Sequence, residues 1–524
     1  MIGREFSYEL ISALHRLTED QLQFGLGKLA EADLVHVSGT PPKATYTFRH
    51  TLIQDAAYKA LLKSKRKELH RHVARTIEQT LPALKAAQPE VLARHWAKAG
   101  ETEQAITEWA RAGKTAEARF AFIEAQESLK HALALLNLLP ESPERDSREL
   151  KLRQSLFSTL LVTQGWNTSE TLQAAERVRV LADKSSDLSR PLMSVITRIF
   201  HAYIAGELSI AAAFANEVFE FASREGNPTV MAYLYYMQLL VRHHRGDLLG
   251  AENHFVAGLE FFDDPVFRGA PTNPAITVFG WAGCNAWALG RADLARERLA
   301  EARAAVRPAN PYDLAWSNRL EAALYLLTRE YETAEALAAR ALNLCEKHRF
   351  RNDAASSRVS LGHARAQLGR HLEGIALIRQ GIATFLQIGC RISVPQIMTH
   401  LAAAQFRSGA IGDALETVQQ ALNFNPEDAI YHPETLRIRG ELHLKQGRHQ
   451  VAETAFRDSI SMARSTGAKA WELRATMSFA RLLDSNGRRG EARTMLAQIY
   501  YWFTEGFDTP DLIDAKALLE GLSG

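Results

Sequence analysis

Apolar and small residues recur along this chain at two nested spacings, three or four residues within a segment and close to forty between segments. The short spacing is that of an amphipathic helix with one face turned inward. The long one is that of a repeated helix hairpin. Aligned on Gly-x-x-x-x-Ala-x-x-x-(large apolar), the clearest unit runs from Gly447 through Ala452 and Phe456 to Ser459 and Ile460, with a companion Gly440 seven residues before it. Gly283 with Gly290 repeats that pair, followed by Ala295 and Leu299, and Gly362 with Gly369 repeats it again. Further anchors are Gly206, Gly246 with Ala251 and Phe255, Arg329 with Ala334 and Ala341, Gly409 with Ala414 and Val418, and Gly487 with Ala492 and Leu496. From Gly206 to Gly487 the successive intervals are 40, 44, 39, 40, 40, 38 and 40 residues.

The spacing has a mechanical reading. A helix ends at the second glycine of each pair, the chain turns, and a second helix begins. The alanine lets the two backbones approach, and the large residue four positions on fills the gap on the same face. Each hairpin buries only part of its apolar surface alone, so neighbours stack. The expected fold is all-α, a tetratricopeptide-like α-solenoid. Its period is near 40 against about 34 for the usual repeat, which implies helices about one turn longer. Gly100, Ala105, Trp109 and Ala112 give one earlier match, and Ala125, Leu129 and Ala132 another after only 20 residues. The polar, two-proline stretch from Pro140 to Ser147 reads as a loop. The organisation expected is residues 1–80 as a separate module, 81–140 as a helical connector with irregular first repeats, and 141–524 as the solenoid with a C-terminal cap.

The first eighty residues lack the repeat and carry the strand signals. Helical stretches from Ser7 to Leu17 and Glu19 to Glu31 precede Leu34 to Val37, a turn from Ser38 to Pro42, and Thr45 to Phe48. Two β-rich runs about a Gly/Pro turn predict one hairpin. A helical pattern follows from Arg49 to Tyr58. Helices followed by a two-strand wing predict a small winged-helix module.

Two segments carry a resemblance. Ile2-Gly-Arg-Glu-Phe6, with Tyr46-Thr-Phe48-Arg-His50-Thr-Leu-Ile-Gln-Asp55-Ala-Ala-Tyr58, resembles the winged-helix segment that follows the nucleotide-binding domain of bacterial STAND-type signalling ATPases. The ending Ile499-Tyr-Tyr-Trp502-Phe503-Thr-Glu-Gly-Phe507-Asp-Thr-Pro510-Asp-Leu is similar to the terminal repeat of a subgroup in which a class III adenylate or guanylate cyclase domain comes first. With the repeats between, the resemblance spans nearly the whole chain. It implies that the cyclase and the phosphate-binding loop lie upstream, and that this sequence corresponds to a C-terminal part of a larger protein. The ATPase and cyclase chemistry is then not encoded here. The implied role is a non-catalytic, cytoplasmic signalling scaffold or sensor. Its concave face would bind a protein, peptide or small effector and regulate an ATPase or cyclase polypeptide. The competing expectation is a transcriptional regulator with a DNA-binding winged helix and an effector-sensing solenoid.

Composition narrows these readings. The 524 residues are 46% hydrophobic and 23% charged, too long for one compact core. The 62 basic and 60 acidic residues leave a formal charge of +2, so no global field favours DNA or an anionic membrane. The basic residues that do cluster are Lys63, Lys65, Arg66, Lys67 and Arg71, an expected interaction surface just after the winged helix. They lie outside the second helix, which would have to read bases, so DNA is the weaker partner. Cys284, Cys345 and Cys390 are far apart, which predicts buried, reduced thiols. The uncharged run from Gly269 to Gly290 is broken by Pro271 and Pro274, which predicts a buried helix and no membrane partner.

Candidate chemistry is sparse. Ala112-Gly113-Lys114-Thr115 imitates the end of a phosphate loop, but Glu108 stands where the pattern needs glycine. The resemblance places His50 where a winged-helix histidine of related ATPases meets a nucleotide diphosphate. By itself His50 reads as a helix-start residue packed on the hairpin. No metalloprotease, nucleophile-elbow or dinucleotide motif occurs. No catalytic residue, cofactor or metal site is expected, and the terminal aromatics from Tyr500 to Phe507 read as a cap on the last repeat.

Overall fold

A computed structural model describes residues 4–15, 17–184 and 189–523. It holds 28 helices and three short strands among these residues, in two compact units, Met1–Thr159 and Leu160–Gly524. The fold is the all-α, tetratricopeptide-like one the repeat predicts.

The anchors act as helix stops. Gly290 has φ +86° and Gly409 φ +84°, left-handed values that only glycine adopts without cost. The amide after each anchor bonds the carbonyl five residues back, as in Arg291 to Ala286 and Ala410 to Gln405, both 2.9 Å. Arg329 makes the same turn with φ +64° and Glu330 N on Tyr325 O at 2.8 Å. A non-glycine there costs about 1 kcal/mol or more. Its side chain offsets this by reaching Asp511 at 3.2 Å and Asp514 at 2.7 Å.

The first glycine of each pair has another task. Gly283, Gly362 and Gly440 sit inside helices where two backbones meet. A methyl group on Gly283 would stand 3.1 Å from the Ala295 carbonyl, on Gly362 2.8 Å from the Gly374 carbonyl, and on Gly440 2.5 Å from the Phe456 ring. Ala295, Ala414, Ala452 and Ala492 are fully buried, as their place in the repeat requires. Gly374 faces Gly362 and has no room for a side chain. Gly374→Val is therefore expected to lower stability by about 3 kcal/mol. Gly409→Ala, with open space around it and only its φ to strain, is expected to lose about 1 kcal/mol. Urea denaturation followed by circular dichroism separates the two, and equal losses would contradict the packing account.

In the first unit, β1 (Glu5–Ser7), β2 (Val35–Ser38) and β3 (Thr45–Phe48) form an antiparallel sheet in the order β1-β3-β2. Phe6 and Val37 both oppose Tyr46. The hairpin is as expected, whereas β1 is a third strand where the periodicity places the start of a helix. Ser7 ends that strand and caps the helix Tyr8–Leu14, its Oγ accepting from Leu10 N at 3.2 Å. The helix stops at Leu14 and not at Leu17. Ile2 and Gly3 of the N-terminal motif, and Arg16, lie outside the described residues. Helices Lys63–Thr80, Pro89–Ala99, Thr102–Ala118 and Phe122–Leu136 then stack in sequence. Gly113 is mid-helix with Leu129 2.9 Å from where a methyl would stand, so its amides are committed to the helix and cradle no phosphate.

The second unit winds tightly enough to meet itself. The Ile204 carbonyl receives the amides of Arg391 and Ile392, at 2.8 and 3.2 Å. One repeat later the His244 carbonyl receives those of Ala429 and Ile430 at the same two distances. Buried His244 and Asp428, 184 residues apart, meet at 3.0 Å. Arg329 and Asp511 are 182 apart. One superhelical turn thus takes about four and a half repeats. The anchor turns of the early repeats abut the loops between later ones.

The C-terminal aromatic segment packs Phe503 and Tyr500 on the core of the last repeat, as a cap does, and also belongs to this closure. Phe503 is buried, but Tyr501 remains 78% exposed. Glu505 accepts from the amides of Asp293 and Leu294 at 2.8 and 3.2 Å, and Asp508 pairs with Arg296 at 3.0 Å. The segment is a clasp on the Gly290 turn. The helix Pro274–Ala288 is buried, and no helix among the described residues is long and apolar enough to cross a membrane.

Candidate functional site

The inner surface of the superhelix is lined by the first helix of each repeat, and closure divides it. The early repeats are packed against the later ones, and an open groove of about 820 Å³ remains along the distal helices, from Leu326 to Asp514. Its floor is aromatic and fixed by ion pairs. Arg474 lies between Trp287 and Trp471 and bonds Asp511 Oδ2 at 2.8 Å and the Leu327 carbonyl at 2.5 Å. Arg437 pairs with Glu434 at 2.7 Å and Glu441 at 3.5 Å. His363 and His400 stack with ring centres 4.1 Å apart. Burial pushes His400 down to about 4, and burial, then the His400 neighbour, puts His363 well below its ordinary value. Both rings are neutral at pH 7, and each leaves a buried Nδ1 without a hydrogen-bond partner.

The rim differs from the floor. Arg407, Lys445 and Arg481 line the groove, are exposed, and form no ion pair among the described residues. With the floor's charges mutually paired, the groove presents surplus positive charge over Phe406, Tyr431 and Trp471. Such a surface suits an acidic chain segment with aromatic or apolar side chains.

The residues singled out in the first unit are placed differently. His50 stands at the start of helix Thr51–Lys59, is exposed, and makes no capping bond. That exposure does not fit a residue packed on the hairpin. Of the basic cluster, Lys65 pairs with Glu68 at 3.0 Å, Arg71 with Glu101 at 2.6 Å, and Arg66 lies over the Tyr58 ring at 5.1 Å. Lys63 and Lys67 remain exposed. Two of the five cations are thus ion-paired within the chain and a third is stacked on an aromatic ring.

Sequence reasoning missed a buried histidine pair there. His70 Nδ1 and His95 Nδ1 are 2.9 Å apart, and the Tyr58 hydroxyl is 3.1 Å from His70 Nε2. One ring must donate to the other, so both cannot be protonated. Burial, then Lys98, lowers His70 to about 4. The pair borders a cavity of about 570 Å³ that also contains Arg4, Arg94 and Lys98. The apolar spacing of helix Lys63–Thr80 held the signal, since it turns His70 inward with Val73 and Ile77. Cys284, Cys345 and Cys390 are buried and unbridged, as expected. Among the described residues no three His, Cys, Asp or Glu side chains group as metal ligands.

No family model matches this chain. An uncharacterized protein of Rhizobium meliloti (strain 1021) is 25% identical over 456 residues, covering 84% of this chain and 44% of that protein. The chain therefore spans less than half the length of this relative. Among solved structures, the Rap protein complexed with competence and sporulation factor aligns over 72% of this chain and 99% of its own. Its identity is 14% and its TM-score 0.48. The Cut9–Hcn1 assembly of APC/C aligns over 99% and 98%, with 13% identity and TM-score 0.48. Yeast Tom70 aligns over 88% and 96%, with 10% identity and TM-score 0.36. These are likenesses of fold and no more.

Proposed function

We propose that this chain is a non-catalytic binding region of a signalling protein, and that its distal groove takes an acidic, partly aromatic segment of a partner polypeptide. The observation that carries the reading is the unpaired cation set Arg407, Lys445 and Arg481 over a floor whose own charges are paired. The partner class that fits the resemblance is an ATPase or nucleotide cyclase polypeptide, restrained or released by the groove's occupancy. The order β1, two helices, β2 and β3 supports a winged-helix reading of the first module. Engagement of Lys65, Arg66 and Arg71 within the protein disfavours the DNA-binding alternative.

The test uses fluorescein-labelled peptides of alternating Glu and Phe, with Lys-Phe peptides of equal length as controls. The acidic series is expected to bind the purified chain with salt-sensitive affinity, and Arg407→Glu with Arg481→Glu to weaken it at least about tenfold. Equal binding of the basic series, or indifference to the double charge reversal, would overturn the assignment.

A further inference from the structure

Behind the groove, closure of the superhelix leaves a second, smaller space of about 160 Å³ in the first superhelical turn. Its walls are aromatic, with Trp166, Phe200, Tyr236, Trp281, Tyr312 and Trp316 around it. Two opposite charges stand in this apolar setting. Arg319 lies over the Trp316 ring at 3.9 Å, its side chain 12% exposed, and its closest acid is Asp353 at 3.9 Å. That distance is a charge contact and too long for a hydrogen bond. Arg319 Nε, Asp353 Oδ1 and Trp316 Nε1 are all buried, and all lack a hydrogen-bond partner.

Buried charges usually bond fully, because an unmade bond to a desolvated charged group is costly. Three such atoms on residues that line one cavity mark a place where a guest completes the bonding. Its chemistry follows from their signs. Arg319 Nε and the indole N–H need an acceptor; Asp353, whose carboxyl Tyr312 and Asn352 already bond, keeps Oδ1 for a further donor. A simple anion would satisfy Arg319 and face Asp353, and a simple cation would do the reverse. A guest carrying both charges meets both demands with no net charge brought into the apolar interior. Size sets the rest: a space of about 160 Å³ limits the guest's apolar part to a body no larger than benzene.

We infer that the interior cavity is a binding site for a free α-amino acid with a leucine-sized side chain, its carboxylate on Arg319 and Trp316 and its ammonium on Asp353. The apolar side chain lies among the aromatic walls. Half-buried Leu161, Asn352 and Gln396 border the cavity and give it a route to solvent. Arg319 and Asp353 belong to the first helices of successive repeats, so a guest that bridges them ties those repeats together. The site uses neither the groove's rim cations nor its occupant, and it stands if the groove reading fails.

Isothermal titration of the purified chain tests this with three probes: L-leucine, 4-methylpentanoate lacking the ammonium, and 3-methylbutylamine lacking the carboxylate. L-Leucine is expected to bind, with each analogue weaker by about tenfold to a hundredfold, the worth of one charge-assisted contact. Asp353→Asn is expected to narrow the gap between L-leucine and 4-methylpentanoate, while Arg407→Glu with Arg481→Glu leaves L-leucine binding unchanged. A thermal melt of each variant confirms that it is folded. Failure of L-leucine to bind, or binding of 4-methylpentanoate as tight as that of L-leucine, overturns the inference. Since both are read on the wild-type chain, a variant that fails to fold leaves the test intact.

Discussion

Asp428→Ala is expected to destabilise the second unit by about 3–5 kcal/mol, because it takes the acceptor from a buried imidazole and a buried amide at once. Asp428 and His244 are 1% and 0% exposed and meet at 3.0 Å. The other carboxylate oxygen accepts from Ser393 N at 2.9 Å. Truncation leaves the Ser393 amide and a ring nitrogen of His244 buried without partners. His244 is held between Tyr203 and Trp281, ring centres 5.5 and 5.2 Å away, so it has no way to turn toward water. The adjacent backbone bonds from Ala429 and Ile430 to the His244 carbonyl are part of the same junction and loosen with it. Asp428→Asn keeps one acceptor and is expected to cost about half as much. The internal control is the next residue. Glu427 makes two 2.7 Å bonds to Ser209 across the same junction but at the exposed edge. Glu427→Ala is expected to cost under about 1 kcal/mol. Urea midpoints for the three variants decide the matter. Losses of similar small size at 427 and 428 would mean that the superhelical junction does not hold the unit together.

The contrast between these neighbours shows what the sequence made readable. Helix hairpins and their stops were legible because the information is local. A left-handed turn leaves a glycine, and a tight crossing leaves another seven residues earlier. Even Arg329 could be assigned to a glycine's place by its interval alone. What lay beyond reach depends on residues far apart. Asp428 and Glu427 look interchangeable along the chain, and only winding about four and a half repeats later separates a buried junction from an exposed one. The same winding shut the early concave surface, turned the terminal aromatics into a clasp on Gly290, and brought His363 against His400. Arg319 and Asp353 were equally mute: each is one charge on an apolar helix face, and nothing local says that both faces enclose one space. The groove was foreseeable as a solenoid's inner surface, but its boundaries and its unpaired rim cations were not. In the first unit, β1 escaped notice because three residues are too few for an alternating pattern, and Ser7 serves both strand and helix.

Acid is expected to weaken the second unit more than any single substitution. Three interior histidines are held neutral: burial, with His244 beside it, lowers His243 to about 3, burial lowers His400 to about 4, and His363 lies well below its ordinary value. His243 is 3% exposed and bonds Asn285 at 3.0 Å, an arrangement that needs no charge. In the unfolded chain each of these rings takes up a proton at about pH 6.5. Below that pH the unfolded state binds more protons than the native one, so the contribution is complete above about pH 6.5 and is lost as pH falls toward about 4. Each tenfold weakening of proton affinity is worth about 1.4 kcal/mol, so the loss is on the order of 3 kcal/mol for each of His243 and His400. Asp353 opposes it. Burial raises its carboxyl to about 6, Arg319 pulling the other way, so the native state holds that proton and gains stability as pH falls from about 6 toward about 4. One carboxyl set against three imidazoles leaves a net decline. Urea midpoints at pH 7.5, 6.0, 5.0 and 4.5 are expected to fall monotonically, most steeply below about pH 6. His400→Gln, which removes one titrating ring and relieves the crowding on His363, is expected to flatten that slope by roughly a third or more. A midpoint that holds constant from pH 7.5 to 4.5, or a slope His400→Gln does not change, would show that these rings reach water in the folded chain.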